Sequence, residues 1–122
     1  MKQFKINKAY EVLVENKGVK LPGAESRELF MLKKKLQPHV EYEDEQKKVI
    51  LDKYSPTQDQ NGNLDFGSKE RAQEFLNEFN TEIQKIEDQD VDLEFTKPQV
   101  TLANVSFSIE EIEALDDFVE FI

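Results

Sequence analysis

Leu29, Leu32, Leu36 and Val40 fall three to four residues apart, and Val49, Ile50 and Tyr54 resume the rhythm after a charged interruption. Such spacing lays one apolar stripe along a helix of 3.6 residues per turn. The stretch from Ala24 to Tyr54 therefore predicts one long helix, or two in succession. A helix of that length in a chain of 122 residues constrains the fold more than any other feature, because the remaining elements must pack along it. Pro38 lies within it, and an internal proline removes one backbone hydrogen bond and clashes with the preceding turn, at about 3 kcal/mol. A kink near Gln37 is expected. Lys33, Lys34 and Lys35 precede the proline and Glu41, Glu43, Asp44 and Glu45 follow it, and both clusters read as solvated helix faces.

The flanking segments supply shorter elements. Phe4 and Ile6 alternate with Lys2, Lys5 and Asn7, which predicts a short extended start, and Tyr10, Leu13 and Val14 predict a helix from Lys8 to Asn16. Gly18 can end that helix with positive φ, and Leu21-Pro22-Gly23 makes a connector. Ser55-Pro56 closes the long helix, and Asn61-Gly62, followed by alternating Leu64 and Phe66, predicts a hairpin. Ser68 can cap a helix whose apolar face holds Ala72, Phe75, Leu76, Phe79, Ile83 and Ile86, the cleanest amphipathic pattern in the chain.

Val91, Leu93 and Phe95 alternate with Asp90, Asp92 and Glu94 as in a half-buried strand, and Val100 and Leu102 suggest an extended return. Ser108-Ile109-Glu110-Glu111 fits a capping box. The helix it opens is expected to reach Glu120, with Ile109, Ile112, Leu115, Phe118 and Val119 facing inward. The expected fold is α+β and mostly helical: a long kinked helix plus two further helices packed with a small β-sheet or hairpin. Length suits a single domain, 1–122, with one core, burying about two-thirds of the surface of the unfolded chain.

Charge is regional. Residues 1–73 hold 14 Lys/Arg against 12 Asp/Glu, whereas residues 74–122 hold 14 Asp/Glu against Lys85 and Lys97 alone. A concentrated charge can steer or exclude partners where a scattered one cannot. Asp88, Asp90, Asp92 and Glu94, with Glu110, Glu113 and Asp117 of the last helix, are the candidate partner-binding residues. A protein partner is expected. Direct nucleic-acid binding is not, because a net charge of −10 repels phosphate and the one basic cluster lacks an aromatic platform.

Other chemistries find little support. With no cysteine there are no disulfides, thiolate metal sites or cysteine nucleophiles, and His39 is the only histidine. Thr57–Ser68 has the spacing of a calcium loop at Asp59, Asn61, Gly62 and Asp65, but Thr57 and Ser68 replace the ligands at its two ends. Alternate carboxylates on a strand stand about 6.6 Å apart and form a row instead of converging on a metal. No catalytic, metal-binding or cofactor-binding residue is assigned. No apolar run approaches the ~20 residues of a membrane span, so a soluble intracellular protein is expected.

Taken in order, several segments resemble a family of small uncharacterised proteins of tailed phages and prophages of Gram-positive bacteria, catalogued as domain of unknown function sixteen-seventeen. They are the Gly23-Ala24-Glu25-Ser26-Arg27 lead into the long helix, the Asn61-Gly62-Asn63 turn, the Phe79 to Ile86 helix, Val91-Asp92-Leu93-Glu94, and the ending from Ile109 to Phe118. The resemblance implies a phage-encoded protein made in the bacterial cytoplasm, with virion association open to it, and transfers no catalytic residue. The expected function is that of a non-enzymatic accessory or morphogenesis protein acting through protein–protein interaction, its partner a phage assembly component or a host protein. The alternative is an acidic inhibitor that imitates nucleic acid and occupies a basic groove on a host nucleic-acid-binding or defence protein.

Overall fold

A computed structural model describes residues 1–122 as α1 (Gln3–Glu15), α2 (Gly23–Tyr54), β1 (Thr57–Gln58), β2 (Leu64–Asp65), α3 (Lys69–Glu87), β3 (Gln99–Val100), a 3-10 turn (Leu102–Asn104), α4 (Ile109–Leu115) and β4 (Glu120–Phe121). The fold is α+β and mostly helical, as expected. The chain divides into two compact units, residues 1–40 with 90–122, and residues 41–89. Apolar side chains gather in two clusters, one in each unit, where one core was expected. In sequence order, Leu32 and Leu36 of α2 belong to the first cluster and Ile50 to the second, with the charged stretch Glu41 to Lys48 falling between them along the chain. Val49, expected on the apolar stripe, is 61% exposed, and Ile50 takes the inward position.

α2 continues unbroken through Pro38, which lies on its exposed side. There the carbonyl deprived of its donor can bond water, so the missing hydrogen bond does not end the helix. The helix stops at Ser55, whose φ of 45° is left-handed and whose amide donates to the carbonyls of Leu51 and Asp52.

In the unit formed by residues 1–40 and 90–122, the expected extended start is helical. Phe4 and Ile6 stand two residues apart, which on a helix places them on different sides. Ile6 is fully buried whereas Phe4 is 37% exposed. The inward face of α1 begins with a polar residue, Gln3, and continues through Ile6, Ala9, Val12 and Leu13. Gln3 Nε2 donates to Asn7 Oδ1 at 3.0 Å and to the His39 carbonyl at 2.8 Å, so a buried amide ties α1 to α2. Asn16, not Gly18, ends α1: its amide donates to the Val12 carbonyl, the next amide, of Lys17, donates to the Val14 carbonyl, and Asn16 Nδ2 returns to Val12 O at 2.9 Å. Gly18 does not take positive φ.

Residues 91–95 show the expected alternation in burial, with Val91, Leu93 and Phe95 half-buried and Asp92 and Glu94 exposed, yet they form no strand. Backbone pairing stops after Asp90 bridges Lys2 and Val91 exchanges hydrogen bonds with Met1, because α1 then turns its own backbone into a helix and leaves no edge to pair with. The extended return is realised as β3. Its partner is β4, in parallel, with Gln99 opposite Glu120 and Val100 opposite Phe121. The last helix therefore ends at Leu115 and not near Glu120. Phe118 and Val119 are almost fully buried in the turn that leads into β4, whose backbone is held by Glu120 N–H donating to the Pro98 carbonyl and Ile122 N–H to the Val100 carbonyl. Ile109, expected inside, is 77% exposed at the first position of α4.

The unit of residues 41–89 is an α2–hairpin–α3 layer. β1 and β2 pair antiparallel, and the loop between them relies on Gly62 at φ 80° and on Asp59 Oδ1, which accepts from the amides of Asn61 and Asn63. Asp59 thus organises a turn. Ser68 Oγ caps α3 by accepting from the Arg71 amide at 3.1 Å. Phe75 stacks on Phe66 with centroids 4.6 Å apart and also meets Phe79 and Tyr54, while Leu76 points outward at 48% exposure.

Candidate partner-binding surface

All seven carboxylates singled out in the sequence are exposed, but they do not form one surface. Glu110, Glu113 and Asp117 recur at three and four residues, so α4 and the turn after it carry them in one line. Across from them α1 presents Phe4, Lys5 and Lys8, and the six residues line a shallow concavity of about 380 Å³. Lys5 Nζ lies 3.2 Å from Asp117 Oδ2, closing one edge of it.

Asp90, Asp92 and Glu94 line the extended stretch outside that concavity. Asp90 pairs with Lys2 at 3.7 Å, and the backbone carbonyl of Glu94 accepts from Lys35 Nζ at 2.9 Å. Asp88 belongs to the other unit, where it caps the C-terminus of α3 through its amide.

Glu111 has a different task from its neighbours. Its Oε1 accepts from the Ser108 amide at 2.9 Å and completes the capping box, while its Oε2 accepts from Asn16 Nδ2 at the end of α1. The backbone N–H of Ser108, then the Asn16 amide, hold its carboxyl below the ordinary glutamate value. This residue fixes the angle at which α4 meets α1, and so sets the line of Glu110, Glu113 and Asp117 opposite the lysines. α4 has only two turns, and Glu110 and Glu111 in its first turn also favour it by facing the positive end of the helix.

The sequence reading missed Phe4, Lys5 and Lys8 as partners of this surface because it placed Phe4 and Lys5 in an extended start and began the helix only at Lys8. The signal was present: once Gln3 is admitted to the inward face with Ile6 and Ala9, Phe4 and Lys8 stand one turn apart on the outside. Chemically the concavity offers three carboxylates, two ammonium groups and one aromatic ring. That is a mixed, hydrogen-bonding surface with an apolar contact, suited to docking against another folded surface.

No family model, curated protein or solved structure matches this chain.

Proposed function

We propose that this protein is a non-enzymatic, phage-encoded accessory or morphogenesis factor, made in the bacterial cytoplasm, that acts by binding another protein through the α1–α4 concavity. The phage assignment rests on the resemblance in the order of segments described above. The docking role is supported chiefly by the line of Glu110, Glu113 and Asp117 facing Phe4 and Lys8, with Ile109 exposed at its start. Apolar groups left in water beside ordered charges are a common composition for the centre and rim of an interface.

Imitation of nucleic acid is the weaker reading, because a polyanion mimic needs an uninterrupted negative field. Lys2, Lys5 and Lys8 interleave with Asp90, Asp117 and Glu113 here, and two of those contacts are ion pairs. The test is co-purification from phage-producing cells with wild-type protein and with Glu110→Lys/Glu113→Lys. A virion or assembly component retained by the wild type and lost by the double variant supports the proposal. Unchanged particle yield and composition on deletion of the gene refutes the morphogenesis role, and a basic host protein released by modest salt would favour mimicry instead.

A further inference from the structure

A second concavity, of about 650 Å³, runs between the first half of α2 and the extended residues 95–98. Leu32, Phe95 and Pro98 give it an apolar lining, and Met31 stands at its lip, 50% exposed. Its charge is opposite to that of the chain as a whole: Arg27, Lys35 and Lys97 line it with Glu28 as the single carboxylate, in a protein of net charge −10. None of the three cations meets a carboxylate. Lys35 Nζ donates to the Glu94 carbonyl at 2.9 Å, Lys97 Nζ donates to the Asp116 carbonyl at 3.1 Å, and Arg27 enters no ion pair.

We propose that this groove docks an acidic, partly apolar segment of another polypeptide in extended form. The lining runs along α2 from Gly23 to Lys35, about 18 Å at 1.5 Å per residue, which accommodates five or six extended residues at ~3.3 Å each. Arg27 and Lys35 are separated by about 12 Å along the helix, close to the ~13 Å between side chains four residues apart on one face of an extended chain. Two carboxylates at that spacing reach both cations, and the apolar side chain midway between them meets Met31, Leu32 and Phe95. Arg27 can receive a carboxylate through two parallel hydrogen bonds, and the flexible Met31 thioether adapts to the shape of the apolar group.

Charge also selects the class of partner. A short peptide with two or three carboxylates experiences mainly the local cations of the groove, whereas a nucleic acid or an anionic membrane presents a long array of charge to the whole acidic protein and is repelled. This groove is separate from the α1–α4 concavity and shares no lining residue with it.

The experiment is fluorescence anisotropy of a labelled hexapeptide of alternating acidic and apolar residues titrated with the full chain. Saturable binding is expected, weakened about tenfold by Arg27→Glu and by Lys35→Glu, and weakened by added salt. Arg27, Met31 and Lys35 are exposed, so the variants keep the fold, which circular dichroism checks. Met31→Ser is expected to weaken the acidic–apolar peptide and to leave its serine-substituted counterpart unaffected. Absence of saturable binding overturns the proposal, and so does equal affinity for a peptide with serine in place of every apolar residue, which would be mere ion exchange. Tighter, Arg27-dependent binding of a phosphatidylglycerol vesicle or an oligonucleotide overturns the choice of partner. Glu110→Lys/Glu113→Lys is expected to leave the peptide affinity unchanged, which separates this site from the proposed docking surface.

Discussion

Gln3 is 2% exposed, and its amide is the one polar group at the head of an otherwise apolar helix face. Replacing it with methionine keeps its length and helix propensity but deletes the hydrogen bonds to Asn7 Oδ1 and to the His39 carbonyl. Each is worth about 1 kcal/mol net, and the added apolar burial returns part of that, so Gln3→Met is expected to cost about 1–2 kcal/mol. Gln3→Ala adds a cavity and is expected to cost more, about 2–4 kcal/mol. Gln3→Glu faces a carboxylate with the His39 carbonyl and the Asn7 side-chain oxygen, and an unpaired buried charge costs about 3–5 kcal/mol.

That third deficit depends on pH. Burial without a cation raises the folded pKa of the introduced carboxyl above its unfolded value of about 4.3, so the folded state binds the extra proton and stability falls as pH rises between the two values. Gln3→Glu should therefore approach the stability of the wild type at acid pH and lose it toward neutrality. Urea unfolding followed by circular dichroism measures all three, with a fall in midpoint of about 1 M for Gln3→Met at unchanged slope. A Gln3→Met protein as stable as the wild type, or a Gln3→Glu protein indifferent to pH, would refute the claim that the amide's hydrogen bonds join α1 to α2.

Phe75→Ala is expected to destabilise the unit of residues 41–89 by about 3–5 kcal/mol, measured by thermal melting, because three aromatic rings lose their common neighbour. Gly62→Ala should cost about 1 kcal/mol through its positive φ, whereas Gly18→Ala, with open space and no such φ, should be neutral or stabilising by up to about 1 kcal/mol in the same assay. Glu111 has a depressed folded pKa, so its contribution is present above the ordinary glutamate value and is lost as pH falls through the folded one. An acid titration of Glu111→Gln followed by circular dichroism should accordingly show a flatter acid limb than the wild type.

Elements whose signals are local were legible in the sequence. Ser68, Ser108 with Glu111, Asn61-Gly62 and the periodicity of α2 each act within a few residues, and each is present where expected. Errors arose where a distant partner decides the conformation. Val91 to Phe95 alternates correctly but lacks an edge to pair with, and Glu120–Phe121 pairs with residues some twenty positions earlier, in competition with a helix that the local pattern favoured. Gln3 was overlooked as an inward position because its burial depends on the His39 carbonyl, which no local pattern reveals. For the candidate surface, the carboxylates of α4 were visible by composition, whereas their lysine counterparts depended on reading α1 as a helix from its first turn.

The division into two units also bears on the order in which the protein can form during synthesis. Residues 41–89 are contiguous, so their aromatic cluster can assemble as soon as α3 has left the ribosome. The other unit is interrupted in sequence: Met1 pairs with Val91, and β3 waits for β4. Ile6, Leu13 and Leu36 therefore lack the cover that Val100, Leu115, Phe118 and Val119 give them until residues 99–121 arrive, which makes α1 and the first half of α2 the segments most exposed to chaperone capture or premature aggregation.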